Sequence, residues 1–338
     1  MIDFSTKYLG LYLSGPIIVS STPLSESIDN VRRMEDAGAA GIVLTSLFEE
    51  QLNLESRALD EDLSRGTESF AESLGYLPDL NDYRMTNDVY LEHLRRSREA
   101  VKIPILASLN GATTGGWVRF AKDVEQAGAH AIELNTYALA TNKSQTSSEL
   151  ELQLLELVSS VTHAVKIPVA VKLSQSFTSV PHLVSRLEDA GAKGVVLFNR
   201  FYQPDFDIEL LEVRPTLHFS TPSELLPRLH WAAVLYGQMK IDLAITGGVH
   251  SAEDVLKGIM AGAGVTMMAS ALHIHGIEHI GRVLADVHYW LEKREYSSLW
   301  ETRGCLSRRS VQDTSPFDRG NYIKTLSSYS LRQTVAAF

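Results

Sequence analysis

Cysteine is almost absent from the sequence, because Cys305 is the single one among 338 residues. One thiol cannot form an internal disulfide and cannot hold an iron–sulfur cluster by itself, so any such cluster would need a partner chain. Long apolar runs are also missing, since none reaches the roughly 20 residues needed to span a bilayer. The N-terminus lacks the basic and then apolar pattern of a signal peptide, so we expect a cytoplasmic protein that binds no membrane.

Positive charge is scarce as well. The chain has 31 Lys and Arg against 41 Asp and Glu, which gives a formal net charge of -10. This balance argues against a general nucleic-acid binder but leaves room for a local basic pocket around a phosphate. With 44% hydrophobic residues, the length fits one large α/β barrel or two ordinary domains.

Two short phrases recur along the chain. The first reads Ala-Gly-Ala before a β-branched apolar run, and its copies begin at Glu35, Glu125, Glu188 and Met260. Glycine readily adopts the left-handed conformation that ends a helix, so each copy predicts a helix end followed by a buried strand. The second phrase reads as helix end, short loop and strand, and its copies begin at Ala100, Ala164 and Gln238.

Together with the opening GPIIVSS, these phrases predict eight strands. They lie near 16–20, 41–45, 104–109, 130–135, 168–173, 194–199, 242–246 and 265–269. Apolar strands that alternate with amphipathic helices indicate a parallel sheet covered by helices, and eight units favour a closed (β/α)₈ TIM barrel. A doubly wound open sheet is the alternative, but no linker divides the chain. The stretch YLGLYLSGP predicts a short hairpin that seals the barrel bottom.

The predicted domain organisation is one barrel over residues 1–310 and a C-terminal tail over 311–338. Insertions at about 48–88 and 201–221 are expected on the C-terminal face, where barrel lids arise. The first insertion carries eleven acidic residues against three arginines, which suggests a lid or a partner surface. The second ends in STPSEL from Ser220, which predicts a helix N-cap with Glu224 available for a capping box.

Polar residues or glycines stand at the carboxyl end of nearly every predicted strand, where barrel enzymes assemble their sites. They are Ser20, Ser21, Thr45, Ser46, Asn110, Asn135, Lys172, Asn199, Gly247, Gly248 and Ser270. Polarity at a single strand end is ordinary, because strand ends border solvent and loops. The complete set of amides, one lysine and a late glycine pair is harder to explain in that way.

Two of these positions indicate a ligand. The pair Gly247-Gly248 follows the seventh strand and precedes a helix predicted to begin near Ser251, which is the usual place of a barrel phosphate site. Ser270 is placed to donate its hydroxyl to the same phosphate, although Gly-Gly is also a simple turn signal. An unpaired Lys172 in the barrel mouth suggests an anionic ligand such as a reduced flavin; the alternative is an ion pair with Glu133.

Several motifs carry a resemblance to a known family. They are YLGLYLSGPIIVSSTPLS, LFEEQ, ASLNG, VLFNRFYQPDFD, GVHSAEDVLK and MMASALHIHG. The chain resembles the dihydroorotate dehydrogenase family of FMN-dependent barrels, and most closely its divergent dihydroorotate dehydrogenase-like members. The resemblance implies FMN held by Ser20, Ser21, Ser46, Asn110, Asn135, Lys172, Gly247, Gly248, Ala269 and Ser270. It also implies substrate contacts from Asn135 and Asn199.

The chain departs from the family pattern at three positions. The cysteine or serine that serves as catalytic base in the family is replaced by Ala138, which cannot accept a proton. This loss is worth roughly 10²- to 10⁴-fold in rate. A family asparagine falls on Ala140, and a family lysine after the second strand falls on Thr45. The usual oxidation of dihydroorotate is therefore in doubt.

Three further side chains are candidates for chemistry near the flavin. Tyr137 is adjacent to the missing base and is a candidate acid, or else an aromatic lid. Arg200 is suited to hold a substrate carboxylate with two hydrogen bonds, or else pairs with Asp205 or Asp207. His273 and His275 do not share a helix face, so we expect ordinary polar positions and no metal site.

The sequence thus predicts an FMN-dependent oxidoreductase acting on CH–CH donors, with Lys172 and Tyr137 as candidate catalytic residues. We expect hydride transfer between flavin N5 and a small carboxylate- or amide-bearing substrate. One alternative is a true dihydroorotate dehydrogenase of pyrimidine biosynthesis with a relocated base. The other is a barrel that binds a phosphate ligand without catalysis. A homodimer is the expected assembly, with a possible electron-transfer partner.

Overall fold

The computed structural model describes residues 2–50, 87–111, 116–136, 140–200, 202–318 and 322–326. The strands are β1 (Thr6–Tyr8), β2 (Leu11–Leu13), β3 (Ile17–Val19), β4 (Gly41–Phe48), β5 (Ile105–Asn110), β6 (Ala131–Asn135), β7 (Val169–Leu173), β8 (Gly194–Leu197), β9 (Pro204–Asp207), β10 (Glu212–Pro215), β11 (Asp242–Thr246) and β12 (Val265–Met268). Eight of them close into a parallel barrel in the order β11-β12-β3-β4-β5-β6-β7-β8. The predicted TIM barrel is confirmed, and each predicted strand overlaps an observed one.

Helices cover the outside of the barrel. They are α1 (Ile28–Asp36), α2 (Asn87–Ala100), α3 (Trp117–Gln126), α4 (Ser147–Ala164), α5 (Val180–Asp189), α6 (Leu225–Leu235), α7 (Ala252–Ala261), α8 (Ser270–His275) and α9 (His279–Glu292). Helix α3 illustrates the packing, since Trp117, Phe120, Ala121 and Val124 are buried at the spacing of one helix face. In the ranges described, no helix is both long and apolar enough to cross a membrane.

The two repeated phrases contact each other in the fold. Glu35 lies in the last turn of α1, and its Oε1 accepts hydrogen bonds from the backbone N–H groups of Lys102 (2.7 Å) and Ile103 (3.1 Å). The Glu125 carboxylate receives the N–H groups of residues 166 and 167 in the same way, and Glu188 receives that of residue 240. Each glutamate of the first phrase therefore ties the loop of the second phrase to the barrel.

The glycine in the first phrase ends the helix as expected. Gly38 and Gly128 have φ of +96° and +94°, a region that side chains with a Cβ rarely adopt. Their N–H groups donate to the carbonyls of Glu35 and Glu125, three residues back. The chain then turns directly into the next barrel strand.

The opening hairpin closes the amino-terminal end of the barrel, as the sequence predicted. Strands β1 and β2 pair antiparallel through a two-residue turn in which Leu9 and Gly10 both have positive φ. Tyr8, Leu9 and Leu13 are buried against the inward-facing residues of the lower barrel, among them Ile18 and Ala244. The interior is therefore filled from below with apolar side chains.

The second insertion forms an antiparallel hairpin of β9 and β10, tied by an ion pair between Arg214 and Asp207. The chain then returns to a 3-10 turn before α6, where Thr221 and Glu224 form a capping box. The capping residue is Thr221, one position after Ser220. Most of the first insertion lies outside the described residues, and the proposed boundary between barrel and tail stays a prediction.

Candidate functional site

One cavity at the carboxyl ends of the strands gathers most of the predicted site residues. Its volume is about 140 Å³. The predicted residues in its wall are Ser20, Ser21, Lys172, Asn199, Arg200, Gly247, Gly248, Ala269 and Ser270. They come from the ends of β3, β7, β8, β11 and β12, which are adjacent around half of the barrel. The structure therefore brings these residues together at a single mouth.

Three predicted residues lie just beyond this wall. Asn135 is connected to it through Asn199, whose Nδ2 donates to Asn135 Oδ1 at 2.9 Å. Ser46 is connected through Ser21, since their hydroxyl oxygens are 3.0 Å apart. Asn110 is the register partner of Asn135 on the neighbouring strand. All three belong to the same end of the barrel.

Lys172 occupies the centre of the barrel mouth. Its ammonium lies 3.1 Å from Glu133 Oε1 and 3.5 Å from Ser20 Oγ, and the two charged side chains are 8% and 0% exposed. The ion pair proposed as the alternative is thus present. Lys172 nevertheless lines the cavity, while Glu133 lies below it with Oε2 unpaired by any described residue. A buried pair of this kind is retained at a cost in desolvation, which is typical of functional sites.

The glycine turn after β11 is shaped by its neighbours. Gly247 and Gly248 have φ of +86° and +84°. A Cβ on Gly247 would lie 2.8 Å from the guanidinium of buried Arg228, and one on Gly248 would lie 2.6 Å from the backbone nitrogen of Leu225. Arg228 in turn donates to the carbonyls of Thr246 and Glu224. Only glycine fits here, and the turn brings its backbone into the wall of the cavity.

Ser220 is hydrogen-bonded to this turn, although the sequence predicted only a helix cap at that position. Its backbone N–H donates to Ser270 Oγ at 3.0 Å, and its hydroxyl accepts from Gly248 N at 3.3 Å. The hydroxyl also lies 3.2 Å from His250 Nε2. The end of the second insertion is therefore joined to the turns after β11 and β12. The sequence signal was the cap itself, which fixes where the insertion returns to the barrel.

His273 also lines the cavity, and sequence reasoning had assigned it no role beyond an ordinary polar position. Its Nε2 lies 2.7 Å from Thr22 Oγ1, and Phe219 stacks on its ring with centroids 5.3 Å apart. Burial lowers the pKa of His273 and thereby favours the neutral imidazole. No cluster of His, Cys, Asp and Glu able to bind a metal ion occurs within the described ranges.

Arg200 is held by a different acid from those expected. Its guanidinium makes two hydrogen bonds with the carboxylate of Glu224, at 3.2 and 3.3 Å, and a third with the carbonyl of His218. The alternative pairing with Asp205 or Asp207 is wrong, because Arg200 pairs with Glu224 and Asp207 pairs with Arg214. Arg200 fastens the end of β8 to the start of α6 while one face lines the cavity.

Positions that depart from the family pattern have separate outcomes. Thr45 does not face the cavity, since its hydroxyl donates to the carbonyl of Thr22 and its N–H to Ser25 Oγ. Thr45 and Ser46 lie inside β4 rather than after it, where the register shifts between Val43 and Ser46. Tyr137 and Ala138 lie outside the described residues, so the role of Tyr137 stays a prediction.

Comparison with known proteins identifies the family. The family model described as dihydroorotate dehydrogenase matches residues 80–291, more than half of the chain. The chain belongs to the dihydroorotate dehydrogenase family. Members of this family are flavoproteins, generally dependent on FMN, and the prediction of an oxidoreductase that acts on a CH–CH donor is confirmed.

Relatives with this name come from archaea and bacteria. The putative dihydroorotate dehydrogenase A (fumarate) of Aeropyrum pernix is 29% identical over 225 residues, which are 64% of this chain and 71% of that protein. The catalytic subunit of dihydroorotate dehydrogenase B (NAD(+)) of Methanothermobacter thermautotrophicus is 24% identical over 88% of this chain and 97% of its own. Dihydroorotate dehydrogenase A (fumarate) of Limosilactobacillus reuteri is 25% identical, with coverage of 87% and 96%.

Proposed function

We propose that the chain binds FMN and transfers a hydride between flavin N5 and a small carboxylate- or amide-bearing substrate. The observation that carries this proposal is the shared cavity. A buried ammonium, that of Lys172, opens onto the same space as the glycine turn at Gly247-Gly248 and Ser270. A flavin nucleotide site needs a cation near the flavin ring, which becomes anionic on reduction. It also needs hydrogen-bond donors for the phosphate.

The residues present fit such a nucleotide. Phosphate would be held by the N–H group of Gly247 and by the hydroxyls of Ser220 and Ser270, with Ser20 and Ser21 elsewhere in the same wall, while the N–H of Gly248 is donated to Ser220 Oγ. The volume of about 140 Å³ is below the range of roughly 300–1,000 Å³ of sites that enclose a whole ligand. A complete nucleotide therefore needs more space than this cavity offers, and Leu217 and Phe219 from the second insertion are among the wall side chains that would have to shift.

When bound, FMN supplies the ring that takes up or gives the hydride. Lys172 holds a positive charge in a place from which water is largely excluded, so an anionic form of a nearby group is stabilised. Glu133 reduces the net charge of the pair and fixes the direction of the ammonium. Ser20 accepts a hydrogen bond from Lys172 and another from Thr246 Oγ1 at 3.3 Å, which positions its hydroxyl.

Substrate selection is assigned to the amide pair. Asn135 and Asn199 come from strands that flank β7, and their side chains are joined at 2.9 Å with further donors and acceptors available. Planar amides of this kind suit a carboxylate or an amide of the substrate. Arg200 already makes two hydrogen bonds to Glu224. We therefore propose that only the part of its guanidinium that faces the cavity contacts a substrate carboxylate.

Dihydroorotate itself is the less favoured substrate. Ala138 stands where the resemblance places the base, Ala140 where it places an asparagine, and Thr45 is committed to bonds within its own neighbourhood. The true dihydroorotate dehydrogenase would need a base from another position. A substrate that accepts a hydride from reduced flavin needs a proton donor instead, and Tyr137 is our candidate for it.

Flavin loading and anaerobic spectroscopy test the proposal. Purified protein is reconstituted with FMN, and its flavin absorption is followed while dihydroorotate or, after reduction, small unsaturated carboxylates are added. We expect stable FMN binding, slow bleaching by dihydroorotate and rapid reoxidation by a member of the second group. Protein that retains no FMN after reconstitution contradicts the proposal and leaves the non-catalytic phosphate-binding barrel.

The electron acceptor, assembly and location stay proposals. The relatives are named for two different acceptors, fumarate and NAD(+), so their names assign none to this chain. We propose a homodimer, which measurement of the mass in solution tests. An electron-transfer partner and a cytoplasmic location also remain predictions.

A further inference from the structure

His250 comes directly after Val249, the residue that follows the glycine turn. Neither the family resemblance nor the proposed chemistry assigns His250 a role. Its Nε2 lies 3.2 Å from Ser220 Oγ, and this hydroxyl accepts the N–H of Gly248 at 3.3 Å. His250 is thus one side chain removed from the donors proposed to hold phosphate. Its backbone is fixed on both sides, because its N–H donates to Asp254 Oδ2 and its carbonyl accepts from His279 Nε2 at 2.7 Å.

The hydrogen-bond capacity of Ser220 makes this link consequential. A hydroxyl offers one proton and two acceptor lone pairs. When the neutral ring carries its proton on Nδ1, Nε2 is an acceptor, so the hydroxyl gives its own proton to the ring and presents none to the cavity. When the ring is an imidazolium, Nε2 donates to Ser220, so the hydroxyl proton is released toward a phosphate oxygen.

Charge at this end of the cavity points in the same direction. A phosphate monoester carries about 1.5 to 2 negative charges at pH 7. Of the lysines and arginines that line the cavity within the described residues, Lys172 is paired with Glu133 and Arg200 with Glu224. Arg228 lies beneath the turn, but its guanidinium donates hydrogen bonds to backbone carbonyls. An added positive charge at His250 would therefore be strongly favourable to phosphate.

We propose that His250, acting through the Ser220 hydroxyl, is a positioning residue of the phosphate site and takes up a proton when a phosphate-bearing flavin binds. The inference rests on the proposed function, since it presumes that FMN occupies this cavity. It adds a titratable contact that makes the site selective for the phosphorylated flavin over riboflavin in a pH-dependent manner.

The surroundings determine the sign of the effect. Burial lowers the pKa of His250 in the ligand-free protein, Asp254 of the following helix α7 and a hydrogen bond with the Ser220 backbone raise it, and His275 of α8 and His279 of α9 lower it. Glu224, which precedes α6, and Arg228 of α6 lie under the same turn. A phosphate dianion raises the pKa of the imidazole. FMN affinity is then greatest below the ligand-free pKa and falls as the pH rises through the interval up to the bound pKa.

Comparison of FMN with riboflavin isolates the effect. Affinities of the flavin-free protein for both are measured by fluorescence quenching between about pH 6.5 and 9, above the second phosphate ionisation near 6. We expect the ratio of FMN to riboflavin affinity to fall with rising pH, by about tenfold for each unit by which the pKa of His250 in the FMN complex lies above the lower end of this range. Riboflavin affinity itself is expected to change little.

Three variants test whether the pH dependence of the ratio of FMN to riboflavin affinity comes from His250. His250→Gln keeps a donor without the charge and Ser220→Ala removes the link, so both should make the ratio independent of pH. His273→Gln is the matched control, since it removes another cavity histidine of lowered pKa and should retain the slope. A slope that persists in His250→Gln, or that disappears in His273→Gln alone, overturns the inference.

The pH dependence of the affinity ratio in the wild-type protein tests the role of His250 even where a variant fails to fold. A constant ratio across the pH range, with both flavins bound, refutes the role of His250 and leaves FMN as cofactor. Failure of both flavins to bind at every pH instead removes the proposed cofactor, and this inference with it.

Discussion

The inside of the barrel has two contrasting layers that share the same strands. Toward the amino ends, inward-facing residues are apolar and pack under the opening hairpin; they include Ile18, Leu106, Ala131, Ala170 and Ala244. Two positions further along these five strands, the inward-facing residues are polar. They are Ser20, Ser108, Glu133, Lys172 and Thr246, all buried.

This difference follows from the period of a strand. Side chains alternate between the two faces, so residues two apart point into the barrel one above the other. Ala170 and Lys172 on β7 therefore occupy successive layers, as do Ala131 and Glu133 on β6. The lower layer stabilises the fold by burying apolar surface, and the upper layer accepts the cost of buried charge to create a binding site. Substitutions in the two layers should therefore have different consequences.

The largest effect is expected at the position of the missing base, Ala138, which the family resemblance identifies. Ala138→Cys supplies a thiol where the family resemblance places the proton acceptor. The rate of flavin reduction by dihydroorotate should rise by roughly 10²- to 10⁴-fold. Stopped-flow bleaching of the bound flavin measures this rate, and Ala138→Val is the control that adds bulk without a base. An equal rate in the cysteine variant and the wild type would show that the base already lies elsewhere.

Removal of the charge from the upper layer should affect both stability and binding. Lys172→Met leaves Glu133 buried and unpaired, which costs about 3–5 kcal/mol in the free energy of unfolding. FMN affinity should fall as well, because the cation is lost. Urea unfolding and flavin titration measure the two effects.

The double variant Lys172→Met with Glu133→Gln separates these causes. It removes the unpaired charge, so most of the stability should return while FMN affinity stays low. If FMN affinity returns with stability, the ammonium serves the fold and not the ligand.

A lower-layer substitution should act on stability alone. Ile18→Ala opens a cavity beneath Ser20 and should cost roughly 3 kcal/mol in the free energy of unfolding. FMN affinity at a temperature where the variant is folded should equal that of the wild type. A matching loss of FMN affinity would mean that the two layers are not independent.

The fold and the lower layer could be predicted from the sequence because the two short phrases recur along it. Three interlocked copies of the glutamate and glycine phrases allowed the strands to be counted, and apolar periodicity identified their buried faces. Lys172, Asn135 and the glycine turn were then placed at one mouth by counting alone, since the carboxyl ends of parallel barrel strands meet there.

The links between strands were not accessible in this way. Ser220 and His250 are thirty residues apart, and their contact depends on where the second insertion re-enters the barrel. The Glu224 partner of Arg200 is also set by this return, whereas nearby Asp205 and Asp207 were the expected partners. Sequence periodicity identifies which end of a strand faces the ligand, but contacts made by irregular segments depend on the path of the loop.

The smallest effect is expected outside the barrel, where the repeated phrases interlock. Glu125→Ala removes an acceptor for two backbone N–H groups, at 2.6 and 3.0 Å, and should cost about 1–2 kcal/mol. Glu99→Ala, an exposed change on α2, is the control and should stay within about 0.5 kcal/mol. Because the Glu35 contact lies at a separate loop, Glu35→Ala combined with Glu125→Ala should give the sum of the single costs in urea unfolding. A combined cost well above that sum would show that the loops at the amino ends of the strands stabilise the barrel as one cooperative ring.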